Sequence, residues 1–146
     1  MLVLDVNVLV YAFRADTDDH PSYRRWLEST LAGDDPVALA PVVLSGFLRV
    51  VTHPRIWREP SPIEEALEYA DVLRRAPAAV ELAPSDAHWP LFSRLCRSIH
   101  ASGNAIPDAF IAALAMDARA ELITTDGGFG RFRGLRWRHP LGREEG

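Results

Sequence analysis

The apolar positions along the chain fall into two rhythms. Short apolar stretches, at Leu2-Val3-Leu4, Val37 to Ala40, Val80-Glu81-Leu82, Leu122-Ile123-Thr124 and Leu135 to Trp137, read as strands. The unbroken run at Leu2 is what a parallel strand covered on both faces requires. Between these stretches apolar residues recur at helical spacing. One helix is expected from about Asn7 to Phe13, and a second from about His20, with Tyr23, Trp26, Leu27 and Leu31 on one face and Gly33 as its stop. Val42 to Val51 reads as a third, ending before Thr52-His53-Pro54. At Ser61-Pro62-Ile63-Glu64 a capping serine, a first-turn proline and a glutamate able to reach back to the cap mark a fourth, with Ile63, Ala66, Leu67 and Ala70 as its stripe. A fifth starts near Ser85 and carries Trp89, Phe92, Cys96 and Ile99. After the loop Ala101 to Asn104, a sixth opens at Pro107-Asp108, with Ile111, Leu114, Ala115 and Ala118 inward.

Strands alternating with helices predict an α/β fold built on a parallel sheet. No repeat or linker interrupts the 146 residues, so residues 1–146 are expected to form a single domain. A chain of this length buries roughly two-thirds of its unfolded surface and needs neither disulfide nor metal to fold. Its one cysteine, Cys96, has no internal partner, which agrees with a reducing compartment. No stretch approaches the roughly 20 apolar residues of a membrane span, and no basic region precedes the first apolar run. A cytoplasmic protein with no membrane partner is the expectation.

The net charge of −4 argues against indiscriminate binding to nucleic acid. All 16 basic residues are arginine, however, and the planar guanidinium grips two phosphate oxygens at once.

The candidate chemistry lies in three aspartates. Asp5 and Asp126 each follow a predicted buried strand, on the carboxyl edge where open α/β sheets bind ligands. Asp108 stands in the first turn of the helix that precedes the last of these strands. Each has an ordinary reading. Asp108 suits the positive end of its helix, Asp126 precedes Gly127-Gly128 in a turn, and only Asp5, closing a buried run, demands compensation. Together at one edge they are better explained by shared chemistry. Converging carboxylates call for a hard divalent cation, Mg²⁺ or Mn²⁺, able to activate water against a phosphodiester. Zinc is disfavoured because His20, His53, His88, His100 and His139 are scattered. Cys96 reads as a core residue, and neither a nucleophile elbow nor a phosphate-binding or dinucleotide glycine motif is present.

Three motifs carry a family resemblance: Leu4-Asp5-Val6-Asn7-Val8-Leu9-Val10, Asn104-Ala105-Ile106-Pro107-Asp108-Ala109, and Leu122-Ile123-Thr124-Thr125-Asp126. They resemble the PIN-domain nucleases, and more narrowly a VapC-type toxin of a type II toxin–antitoxin pair. Phe47-Leu48-Arg49-Val50-Val51-Thr52-His53-Pro54-Arg55, and Phe129-Gly130-Arg131-Phe132 leading to Leu135-Arg136-Trp137, are similar to an actinobacterial, particularly mycobacterial, set. The resemblance implies a three-layer α/β/α fold with a short parallel central sheet and an Mg²⁺ or Mn²⁺ site on Asp5, Asp108 and Asp126. It also implies endonucleolytic cleavage of structured RNA (transfer or ribosomal), a VapB-type antitoxin and a homodimer. Asn7, Asn104 and Thr125 match polar neighbours that orient ligands or water, although Asn7 would serve equally as a helix cap and Asn104 as a loop turn. The family's usual glutamate after the second strand falls at Gly46, with Asp86 either a stand-in or simply a first-turn aspartate.

Phosphate contacts are expected from Arg131, Arg133, Arg136 and Arg138 after Asp126, and from Arg49 and Arg55 across the site, unless these only form a solvated basic face. Trp57, Phe129 or Trp137 would stack on a base, or else belong to the core or a dimer contact. Two other readings compete: a weak or inactive PIN-like module that binds RNA or a partner, motivated by Gly46, and a phosphatase using Asp5 as nucleophile. The phosphatase suffers from Asn7 standing where its second aspartate belongs and from the absence of lysine.

Overall fold

A computed structural model describes residues 1–143; the last three of the 146 residues assigned to the domain lie outside the described residues. Twelve elements succeed one another among them: β1 (Leu2–Leu4), α1 (Val6–Phe13), α2 (His20–Leu31), β2 (Val37–Ala38), α3 (Pro41–Val51), α4 (Ile63–Arg74), β3 (Ala79–Val80), α5 (His88–Ser98), α6 (Ala105–Asp117), β4 (Glu121–Ile123), a 3₁₀ turn (Gly127–Arg131) and β5 (Trp137–Arg138).

The five strands form one sheet in the order β3-β2-β1-β4-β5, parallel throughout. Leu2, Val3 and Leu4 are all buried, as are Val37 and Ala38. Successive strand residues point to opposite faces, so consecutive burial means that both faces are covered. The helices that cover them pack in two groups, α1 with α2 and α3 and α3 with α4 in one, α5 with α6 in the other. This is the expected α/β architecture. β1 lies at the centre, and strand order reverses between β1 and β4. That switch point opens a crevice at the carboxyl ends of these two strands.

Several elements differ from the sequence pattern. β3 and β5 are two-residue edge strands, shifted slightly from the expected Val80–Leu82 and Leu135–Trp137. On α4 the expected apolar stripe is only half buried. Ala66, Ala70 and Leu73 face the core, while Ile63 and Leu67 are exposed. Small alanines let the helix backbone approach, and hydrophobicity alone does not report that preference. On α5, Trp89 is 68% exposed, and His88 and Leu95 take the buried face. His88 is accommodated because its Nε2 meets the Phe110 carbonyl at 3.1 Å and its ring packs edge-on against Phe110 and stacks on Phe92. α6 begins two residues before Pro107, and Ala118 is its half-buried cap.

Candidate active site

Asp5 closes β1 and opens α1. Its backbone N–H donates to Ile123 O at 3.0 Å, continuing the ladder with β4, and its side chain turns back to cap α1, Oδ1 accepting from Val6 N at 2.7 Å. The sheet register pairs Leu4 with Ile123, so the next residues, Asp5 and Thr124, leave their strands side by side. Thr124, with no exposed surface, donates its hydroxyl to Asp5 Oδ2 at 2.7 Å.

Asn7 completes this junction. Its Nδ2 donates to Asp5 Oδ2 (3.1 Å) and to Thr124 Oγ1 (3.2 Å), while its Oδ1 accepts from the Thr125 backbone N–H (3.1 Å). Thr124 Oγ1 also accepts from Asp126 N at 3.1 Å. One hydroxyl thus ties the buried carboxylate to the backbone that carries the second acid. Asp126 in turn caps the 3₁₀ turn through Gly128 N at 2.8 Å.

Asp108 enters from α6, one turn after the Asn104 cap position. Burial holds the Asp5 carboxyl above the ordinary carboxylate range; bonds from Thr124 and Val6 oppose the shift, and the charges of Asp108 and Asp126 add to it. Asp108 is pushed up in the same way, by burial first and Asp126 second, with Arg131 acting against them. The three aspartates therefore sit within one another's electrostatic field. Arg131 Nη2 lies 3.2 Å from Asp108 Oδ2.

These acids do not form a closed cage. Among the described residues, no three or more His, Cys, Asp or Glu side chains have the spacing to hold a metal ion. Their chemistry fits a hard cation nonetheless. Every donor is oxygen, like charge is concentrated, and Mg²⁺ is commonly held by one or two carboxylates with water supplying the remaining ligands.

The polar neighbours are partly redistributed. Asn7 is not the helix cap, since Asp5 does that work, and it bridges the two strand ends instead. Asn104 is exposed at the start of α6, and its side chain makes no capping bond. Thr125 contributes its backbone N–H to Asn7, and the hydroxyl that bonds Asp5 is that of its neighbour Thr124, a residue outside the expected set. The signal was available in the parallel pairing of two strands that both end in a polar residue.

The arginines separate as well. Arg131 reaches the site and Arg136 does not: its Nη2 donates to Arg119 O at 2.9 Å, beyond the far end of α6. Arg138 pairs with Glu121 at the start of β4 (2.8 Å) and Arg133 is exposed. Arg49 lies in the last turn of α3, eight residues or about 12 Å along the helix from Pro41 at the carboxyl edge, and Arg55 lies beyond it. Asp86 adjoins Ser85, whose hydroxyl and backbone N–H both bond Asp117 at the C-terminal end of α6. Asp108 stands nine residues away, about 13 Å along the same helix, which removes Asp86 as a substitute acid. Phe129 is a core residue, and Trp57 is occupied by the Arg14 guanidinium 4.0 Å above its ring.

A family model described as PIN domain matches residues 2–135. The chain is 48% identical over 141 residues to Ribonuclease VapC43 of Mycobacterium tuberculosis, covering 97% of this chain and 96% of the relative. It is 35% identical over 140 residues to Ribonuclease VapC25 of the same organism, covering 96% and 99%. Among solved structures, VapBC2 from Rickettsia felis bound to a promoter DNA fragment superimposes with a TM-score of 0.70 at 22% identity, covering 94% of this chain and 97% of that one.

Proposed function

The chain belongs to the PIN-domain family, and from that premise we propose that it is the ribonuclease toxin of a VapB–VapC pair, cutting structured cellular RNA with a divalent cation at Asp5, Asp108 and Asp126. The observation that carries the reading is the buried Asp5 carboxylate, locked to the joint ends of β1 and β4 and charge-coupled to two further aspartates. Mg²⁺ or Mn²⁺ suits this all-oxygen donor set and, when bound, supplies positive charge for the phosphodiester and a water of lowered pKa.

The chain's own groups do the positioning. Val6 N, Thr124 Oγ1 and Asn7 Nδ2 hold both oxygens of Asp5 in one orientation, which a side chain fixed only by packing would lack. Asp126 is held by its bonds to Thr124 and Gly128, so its carboxylate position follows the same strand junction. Asp108 approaches on a separate helix. The cleavage site therefore lies between a rigid sheet edge and the first turns of α6.

Asn7 donates into this junction instead of presenting a second acid, which weighs against a phosphatase. The VapB-type partner is supported by the VapBC neighbour, the homodimer is what the family resemblance implies, and a cytoplasmic location is the reading the sequence pattern favours. Among the described residues no helix is long and apolar enough to cross a membrane.

The test is incubation with total cellular RNA and Mg²⁺ or Mn²⁺, beside Asp5→Ala/Asp108→Ala. Defined cuts that disappear in the double variant and with chelator are expected. Identical RNA from both proteins would overturn the nuclease and leave a binding module.

A further inference from the structure

Arg131 stands apart from the other arginines of the C-terminal region. It ends the 3₁₀ turn that Asp126 caps, between two anchors, Phe129 and Phe132, that are 1% and 2% exposed. Its guanidinium lies 5.2 Å from the centre of the Phe132 ring and 3.2 Å from Asp108 Oδ2. The turn thus starts at one site acid and delivers its last side chain to another. That side chain is 43% exposed, so its remaining N–H groups face solvent beside the acids.

We propose that Arg131 is the phosphate-binding residue at the cleavage site, and that it exchanges partners: a divalent cation competes with it for Asp108, and ion loading turns the guanidinium towards the RNA phosphodiester. The inference rests on the metal-dependent nuclease reading and adds to it a coupling between ion binding and substrate binding. Three features support it. Asp108 Oδ2 has finite acceptor capacity, and a cation ligated there weakens the attraction that holds Arg131. The anchored turn limits the guanidinium to a short swing, so release leaves it close to the acids. A guanidinium is also suited to bind both a carboxylate and a phosphate through the same paired N–H groups.

Two measurements test this. The first is calorimetric titration of Mn²⁺ into RNA-free protein. Arg131→Gln removes the competitor, so Mn²⁺ should bind about two- to fivefold more tightly, the range an exposed ion pair supports. The second is retention of a labelled single-stranded RNA on filters across a salt series with Mn²⁺, in the cold and with the retained RNA checked to be uncut, so that all three site acids stay in place. Arg131→Gln should lower the slope of log affinity against log salt by about one, the signature of one lost phosphate contact, and Arg131→Lys should restore it. Unchanged Mn²⁺ affinity together with an unchanged salt slope would make the pair merely structural and overturn the proposal. Loss of the slope alone would keep the phosphate contact and refute the exchange. Failure of the nuclease reading is seen separately, as total RNA left intact by the otherwise native chain in Mn²⁺.

Discussion

A Cβ placed on Gly46 would stand 2.8 Å from Cγ2 of Val6, closer than side chains pack. Gly46 lies inside α3 and Val6 is the first residue of α1, immediately after Asp5. The glycine therefore permits α3 to press against the turn that carries the first acid, and the resemblance places the usual PIN glutamate at this position. Gly46→Ala should gain about 1 kcal/mol of intrinsic helix propensity and lose about 1–3 kcal/mol to overpacking. A net destabilisation of roughly 1 kcal/mol by urea unfolding is expected, relieved in Val6→Ala/Gly46→Ala. Because Val6 N–H binds Asp5 Oδ1, the single variant should also cut RNA more slowly. Equal stability of Gly46→Ala and the native chain would show that the helices separate without strain.

Thr124 and Thr125 are adjacent and chemically identical, yet the structure uses them differently. Thr124→Val deletes a buried hydroxyl that donates to Asp5 and accepts from Asp126 N and Asn7, at an expected cost of about 1–3 kcal/mol. With Asp5 less firmly held, cleavage should fall at least about tenfold. Thr125→Val keeps the backbone N–H that Asn7 uses and should change stability by less than about 0.5 kcal/mol. Chemical denaturation and RNA cleavage on the two variants side by side decide it; reversed sensitivities would return the role to Thr125.

The strands and the two strand-end acids were legible because continuous burial leaves an apolar run, and a charge that ends such a run stands out. The inward faces of α4 and α5 were not. Ala66 and Ala70 are buried for their size and His88 for the Phe110 carbonyl and the rings of Phe92 and Phe110 around it, and neither reason shows in a hydrophobic pattern. Asp108 was placed by its motif rather than by the pattern of its helix. Thr124 required the register of two strands over a hundred residues apart, which periodicity within one element does not contain. The arginines misled for a related reason. Near neighbours of Asp126 in sequence end at opposite ends of α6, because the chain turns at Gly134, which has a positive φ of 90°, and re-enters the sheet as β5.

Burial of Asp5 links the site to acid stability. Its pKa in the folded protein is raised from 3.8, so in the window just above 3.8 the folded state binds more protons than the unfolded state, and stability falls as pH rises through that window. This stabilising contribution is complete below 3.8 and lost once Asp5 ionises. Asp5→Asn removes the titration, so the variant should gain on the native chain as pH rises from the acid range to neutrality and then hold a constant advantage. Unfolding free energies at matched pH values give the difference directly, and shifts elsewhere, such as the lowered Asp117 and Asp16, cancel in the subtraction. A difference independent of pH would show that Asp5 is solvated in solution.

Geometry also predicts which basic residues leave the activity untouched. Arg136 is turned towards Arg119 O and Arg138 towards Glu121, both away from the Asp108 end of α6. Among the described residues each side chain makes one exposed bond, and the backbone carbonyls that accept from Leu122 N and Thr124 N are kept in the variants, so Arg136→Ala and Arg138→Ala should cost less than about 0.5 kcal/mol in stability. Their RNA cleavage rates, and the salt slope of RNA binding, should match those of the native chain, because neither side chain is directed at the phosphodiester. Asp86→Ala should be equally silent, since Ser85 ties that loop to Asp117 at the same remote end. The comparison that matters is with Asp108→Ala on the same helix, which should abolish cleavage while its stability changes little. If Arg136→Ala weakens RNA binding and lowers the salt slope by about one, the RNA crosses the sheet's amino edge, and the binding surface is far longer than the carboxyl-edge crevice.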